Sequence, residues 1–152
     1  MTQAVKRHSG VVNQFVGDEV FAIFGAPISA NNNEQNAVFC AIEMMEKLVL
    51  LIEQFGQVLK TPLKIGIGIN SGEVVAGNMG SEDKIEYSVT GDTVNTGKRI
   101  ETLTQDAPNR ILISEGVFEK VKDLVEWTAW EPVMVKGKKE KLLVFEVLKR
   151  KA

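Results

Sequence analysis

The chain has 152 residues, 44% of them hydrophobic and 25% charged, with a formal net charge of −2. That length supports one domain with a real core, spanning 1–152, and excludes two comfortable ones. The near-neutral balance excludes a global electrostatic grip on nucleic acid or on an anionic membrane, so any anion site must be local. The single Cys40 excludes an internal disulfide and reads as a small buried hydrophobe. LVLLI, Leu48 to Ile52, is among the longest apolar runs and falls far below the ~20 residues that span a bilayer. No signal peptide is read at Met1, and the expected compartment is cytoplasmic, with membrane attachment left to any parent protein.

MTQAVKRH has helical composition but only about two turns and no preceding N-cap, so it reads as the tail of a helix. Val11–Val16 and Glu19–Phe24, β-branched and aromatic, flank a Gly-Asp pair and predict a tight hairpin. After the polar loop APISANNN, apolar residues at Val38, Ile42, Met45, Val49 and Ile52 predict a long amphipathic helix from Glu34 to about Leu59, stopped by Pro62. LKIGIGIN alternates as a strand, with GEVVAGNMG as its expected hairpin arm and KIEYSV as a further short strand. Glycines 66, 68, 72 and 77 allow close approach either of a ligand or of another backbone. TGDTVNTGKRIETL reads as a helix capped by Asp92 or Thr93. ILIS is then a strand, SEGVFEKVKDL a short helix from the cap Ser114, and VEWTAWEPVMV and KLLVFEVLK are strands around the basic turn KGKKEK. The order is an α+β plan with helices on a largely antiparallel sheet.

Three constellations carry chemistry. Asp18 at the hairpin tip is either a turn former or a hard oxygen ligand of the kind Mg²⁺ needs where a rigid turn exposes it. Asn95 and Arg99 lie four apart on one helix face, which is either a solvated face with Arg99 paired to a nearby acid or a place where an amide able to hold a ribose and a guanidinium able to stabilise a phosphoryl group point the same way. Lys136 and Lys138 sit in a Gly turn, where lysines either solubilise or reach a triphosphate.

At these residues the chain resembles the class III adenylate and guanylate cyclase catalytic domain. HSGVVNQFVGDEVFAIFGAP looks like that family's metal-aspartate hairpin, and IGIGINSGEVVAGNMGS like its glycine-rich strand pair. EYSVTGDTVNTGKRIE looks like its nucleotide-binding strand and helix, and VMVKGKKEKLLVFEV like its Lys-bearing hairpin. The resemblance implies a ferredoxin-like, palm-type fold and a head-to-tail homodimer whose two subunits each give half of the site. It implies Asp18 as second metal aspartate, Asn95 as ribose-orienting group, Arg99 as transition-state arginine and Lys138 as triphosphate lysine. The base contacts fall on Gln14 and Ser88. The reaction implied is attack of the ribose 3′-hydroxyl on the α-phosphorus of ATP or GTP with release of pyrophosphate, assisted by two Mg²⁺ or Mn²⁺ ions.

The family's first metal aspartate belongs to a strand that precedes the helix ending in MTQAVKRH, and this sequence does not carry that strand. Residues 1–152 alone are therefore expected to show little or no turnover. Gln14 stands where adenylate cyclases commonly carry a lysine, and Ser88 where they carry Asp or Thr. Both side chains donate or accept, a pair that suits either purine, with ATP favoured because Ser88 is close to Thr and position 14 lacks the guanylate-type glutamate. Two alternatives are a non-catalytic regulatory or dimerisation module of cyclase fold, and a diguanylate cyclase, which VGDEVF echoes. Fused regulatory domains are expected in the parent protein.

Overall fold

The computed structural model describes residues 1–152, the side chain of Ile85 excepted. Its elements run α1 (Thr2–Arg7), β1 (Gly10–Val16), β2 (Glu19–Phe24), α2 (Asn33–Phe55), β3 (Ile67–Ile69), β4 (Val75–Ser81), β5 (Lys84–Thr90) and α3 (Asp92–Leu103). A 3₁₀ turn (Thr104–Asp106), β6 (Ile111–Ser114), α4 (Glu115–Val121), β7 (Val125–Ala129) and β8 (Val144–Arg150) follow. The α+β plan holds, with three separate sheets: the hairpin β1–β2, the ribbon β4–β5, and a central sheet ordered β3–β6–β8–β7. Only β3 and β6 run parallel in that central sheet; the pairs β6–β8 and β7–β8 are antiparallel.

Alternation along β6 sets the layers, because successive strand side chains face opposite sides. Ile111 and Ile113 join Val38 and Ala41 of α2 and Val117, Phe118 and Val121 of α4 in one core. Leu112 faces the other way and packs with Ile100 of α3, Ala107 and Val144. The sheet is thus covered by α2 and α4 on one side and by α3 on the other. A third cluster, Ala4, Val5 and Cys40 with Val12, Ala22 and Phe24, fixes α1 and the hairpin to the start of α2. Cys40 is the buried hydrophobe its surroundings predict, and burial pushes its thiol up to about 11.

Several boundaries and one face differ from expectation: LKIGIGIN is a strand only over Ile67–Ile69, and VEWTAWEPVMV only over Val125–Ala129. The arm GEVVAGNMG does not return along β3; β4 pairs with β5, from Val75↔Thr90 to Ser81↔Lys84. The two-residue link Glu82-Asp83 closes that hairpin directly, whereas the segment between β3 and β4 spends its polar groups on α3. Helix α2 ends at Phe55 rather than Leu59, its final bond running from Gly56 N to Ile52 O, because Gly56 is a poor helix residue. Its predicted apolar face is buried only in the first half. Val49 and Ile52 are 55% and 39% exposed, since a 23-residue helix of about 35 Å overhangs strands β3 and β6 of three and four residues. Finally, α3 is capped by Gly91 with no side-chain capping bond, and Asp92 is its first helical residue.

The glycine question is settled by packing at three of the four positions; a Cβ on Gly72 would lie 2.7 Å from Thr93 Oγ1. A Cβ on Gly68 would lie 2.6 Å from Glu101 Cα and 2.8 Å from Gly97 O, and one on Gly66 would strike the Thr104 side chain. Backbone of α3 therefore occupies the space at Gly68, and the Thr104 side chain of the 3₁₀ turn the space at Gly66. Gly77, on the ribbon, faces nothing within 4 Å. Gly68→Ala is expected to cost about 1–3 kcal/mol by overpacking against backbone that has no rotamer to yield. Gly77→Ala should be neutral or stabilising by up to ~1 kcal/mol; urea denaturation of the two variants checks the contrast, and equal effects would count against the crossing as the constraint.

Candidate active site

Helix α3 is held at its first turn by three contacts from the segment after β3. Asn70 Nδ2 donates to Thr93 O at 2.9 Å, Thr93 Oγ1 donates to Glu73 O at 2.7 Å, and Gly72 leaves room for the Thr93 side chain. With the Gly68 crossing below, these fix both the axis and the rotation of α3. Asn95 is then exposed and Arg99 half-buried on one face, while Ile100 is fully buried beneath.

The basic turn folds over that face. Lys138 N donates to Val135 O at 3.0 Å, and Gly137, at φ 88°, takes a left-handed conformation that non-glycine residues adopt at a cost. A Cβ on Gly137 would come within 3.9 Å of the Arg99 guanidinium, so turn and arginine lie side by side. Lys138 Nζ reaches Asp92 Oδ2 at 2.8 Å, and its hydrogen bond, with the more distant Arg99 charge adding to it, holds the Asp92 carboxyl below the usual carboxylate range. Asp92 and Lys138 thus pair at the N-terminal end of α3, and Arg99, further along the same helix as Asn95, lies beside the lysine's turn. Sequence reasoning took Asp92 for a cap and missed it as the partner of Lys138; its place in TGDTVN signals the helix start and says nothing about a lysine forty-six residues on.

Asp18 sits elsewhere, in the two-residue loop between β1 and β2 that Gly17 opens at φ 60°, and it is exposed. Among the described residues, no group of three or more His, Cys, Asp or Glu side chains is placed to hold a metal ion. An exposed carboxylate at a tight turn offers oxygen donors of the kind a hard cation takes, from one side chain only. Its neighbour Glu19 is engaged with Lys98 of α3. That ion pair links the hairpin tip to the helix bearing Asn95 and Arg99, although on the next face round. Gln14 is exposed on β1, beside a register shift between Val12 and Gln14. Ser88 is half-buried on β5, opposite Gly77. The structure therefore distributes the sequence-predicted residues over three bodies: Gln14 and Asp18 on the hairpin, Ser88 on the ribbon, and Asn95, Arg99 and Lys138 around α3.

The family model of the adenylate and guanylate cyclase catalytic domain matches residues 3–148. The chain belongs to that family. Its sequence is 30% identical over 151 residues to adenylate cyclase 1 of Rhizobium meliloti (strain 1021), covering 97% of this chain and 22% of that protein. The chain thus spans under a quarter of that curated relative. The crystal structure of the guanylyl cyclase Cya2 superposes with a TM-score of 0.88 at 35% identity, over 98% of this chain and 75% of that one. The adenylyl cyclase CyaB from P. aeruginosa gives a TM-score of 0.90 at 28% identity, over 97% and 76%. The fold is accordingly that of a cyclase catalytic domain. No described helix is long and apolar enough to cross a membrane.

The Asp92–Lys138 pair makes a pH prediction. A carboxyl whose folded-state value is depressed contributes stability that is present above its ordinary range and is lost as the pH falls through the folded value. A ¹³C-detected titration of the Asp92 side chain should therefore show a midpoint below the usual Asp range, and Lys138→Met should return it upward. An unchanged midpoint in Lys138→Met would assign the depression to another charge.

Proposed function

We propose that this domain converts ATP, with GTP as the less favoured substrate, into the 3′,5′-cyclic nucleotide and pyrophosphate, as half of a head-to-tail homodimer. The observation that carries the reading is that Arg99 lies beside the turn of Lys138, with Asn95 one helical turn before Arg99 on α3, in a chain whose family acts on purine nucleotides. Arg99 lies beside a turn whose lysine is anchored, so both cations are held in place where negative charge on a transferring phosphoryl group would build up. Preorganised cations of this kind stabilise a transition state because their orientation costs nothing at the moment of reaction. Asn95, four residues before Arg99 and exposed, orients the ribose.

Asp18 would hold the metal, Mg²⁺ or Mn²⁺. A pair of such ions, when bound, eases deprotonation of the attacking hydroxyl and screens the triphosphate. One carboxylate at the hairpin tip is half of the donor set that two ions require, which supports the reading that residues 1–152 alone turn over little. Gln14 and Ser88 contact the base, each donating or accepting, an adaptable pair that rejects the wrong purine less than the ~10⁴ or more of a fixed polar site. The ribbon β4–β5 supports assembly, since it exposes Val75 at 74% and Met79 at 57%. Exposed apolar side chains of that size on one ribbon are what a partner surface covers. Signalling by a longer parent protein with fused regulatory domains belongs to the same proposal.

In a longer chain that supplies a second carboxylate, Arg99→Ala should lower kcat by about 10²–10³-fold. ATP turnover should exceed GTP turnover, and a clear GTP preference would reverse the substrate assignment. For residues 1–152 with Mn²⁺ and ATP, turnover close to that of the longer chain would show that one aspartate suffices and overturn the two-carboxylate reading.

A further inference from the structure

Strand β8 carries one side chain that its place in the core does not explain. Alternation puts Val144 and Glu146 on the α3 side of the central sheet, with Phe145 and Val147 on the other. Val144 is apolar, as that side requires, whereas Glu146 is a carboxylate only 4% exposed. Among the described residues it joins no ion pair. A buried carboxylate is costly unless hydrogen bonds replace the water it has lost. Here Asn109 N donates to Oε1 at 2.7 Å, Asn109 Nδ2 donates to the same oxygen at 3.0 Å, and Trp130 Nε1 donates to Oε2 at 3.0 Å.

These donors come from two separate segments. Asn109 lies in the link between the 3₁₀ turn that follows α3 and strand β6. Trp130 follows directly on β7 and begins the excursion 130–143, which carries the Lys138 turn. The arms of that excursion are joined by Trp130 N to Val144 O at 3.0 Å, and by Val133 and Leu142, whose N–H groups each donate to the other's carbonyl at 2.9 and 2.7 Å. Such bonds tie the arms to each other and leave their tilt over α3 open. Trp130 and Leu142 pack against the cluster of Ile100, Ala107, Leu112 and Val144, which includes the buried side of α3. Packing keeps the indole in place, and the directed bond to Glu146 fixes its orientation. The carboxylate thus clamps the root of the Lys138 hairpin to the segment that ends α3, while the far end of the hairpin lies at Arg99 and Asp92.

We propose that Glu146 is a positioning residue, which through Trp130 sets the tilt of the Lys138 hairpin over α3 and so the place of Lys138 beside Arg99 and Asp92. The value of that placement for nucleotide binding rests on the function proposed above; the clamp itself does not. An apolar side chain at this position would fill the space without burying a charge, but it would offer nothing to direct Trp130.

The test uses residues 1–152 and reads the Asp92 carboxyl by ¹³C titration, because that group reports whether Lys138 is in place with no nucleotide present. Trp130→Phe keeps an aromatic ring and deletes the N–H, and Glu146→Gln keeps the size and replaces one acceptor oxygen with a donor. Each should move the Asp92 midpoint upward, part of the way to its value in Lys138→Met. In calorimetry both should bind ATP roughly three- to tenfold more weakly, the scale of one lost hydrogen bond, with adenosine unchanged because it has no phosphate for Lys138. The double variant should add little to either single one, since both break the same link. Val121→Ala, in the core on the opposite side of the sheet, is the stability control: its urea midpoint should fall while Asp92 titrates as in the parent chain. If Glu146→Gln does not fold, Trp130→Phe decides alone. An unmoved Asp92 midpoint in Trp130→Phe would overturn the proposal, and so would an equal shift in Val121→Ala, which would trace the effect to lost stability. A shifted Asp92 midpoint with no saturable ATP binding in the parent chain would uphold the clamp and count against the nucleotide reading alone.

Discussion

The crossing of α3 over β3 at Gly68 is the constraint on which the rest of the site depends. Gly68 allows the α3 backbone at Gly97 and Glu101 to approach a strand closer than any side chain would permit. That approach buries Ile100 fully against Leu112 and Val144, and a fully buried Ile at the centre of a helix leaves little freedom to roll. Rotation about the helix axis is the quantity that matters for chemistry here. A roll of one residue, about 100°, would carry Arg99 away from the Lys138 turn and Asn95 away from the face they share. The two contacts from Asn70 and Thr93 at the first turn close the same degree of freedom from the other end.

Once α3 is fixed, the Lys138 turn becomes a dependent element. Its cation is too far along a flexible stem to be positioned by backbone alone, and Asp92 supplies the missing restraint at 2.8 Å. Asp92 is mostly exposed, so the pair is a positioning device rather than a source of stability, since exposed ion pairs contribute little. It also makes Lys138 a shared group. The same ammonium pairs with Asp92 at the first turn of α3 and stands in the wall of a polar cavity that Thr96 and Ser114 also line. A negative ligand there meets a lysine already half committed to Asp92.

How much of this is legible in sequence depends on the range of the interaction. The β1–β2 hairpin is written locally, because Gly17 and Asp18 between β-branched runs admit one solution, and β6 with its Ser114-led helix is equally local. The four ordered motifs also expose the family, since each pairs residue types with a spacing that chance rarely repeats. What fails is non-local. The partner of β4 depends on whether Asn70 and Glu73 are free to pair as strand or are taken by Thr93, and that lies twenty residues ahead. The exposure of Val49 and Ile52 depends on how short β3 and β6 prove to be. Asp92 reads as a cap until the turn at Lys138 arrives beside it. Thr96 looks like one more polar residue on a helix, and only packing shows that its hydroxyl is buried without a partner. Gly68 lies between these cases: the sequence shows that something comes close, and only the fold shows that it is α3.

The division of the strands into three sheets has a consequence for how the functional groups keep their geometry. No ladder of backbone hydrogen bonds joins the hairpin carrying Gln14 and Asp18 to the central sheet, or joins the ribbon carrying Ser88 to it. The hairpin is instead seated by Val12, Ala22 and Phe24 against α1 and α2, and steered at its tip by Glu19 on Lys98. Side-chain packing, rather than a shared ladder, sets where Gln14 and Asp18 stand relative to the central sheet. Helix α3 is fixed more tightly, because Gly68 admits its backbone against β3 and Ile100 is fully buried beneath it. Asn95 and Arg99 therefore ride on an element tied closely to the central sheet, while Gln14 and Asp18 ride on one seated by side-chain contacts alone.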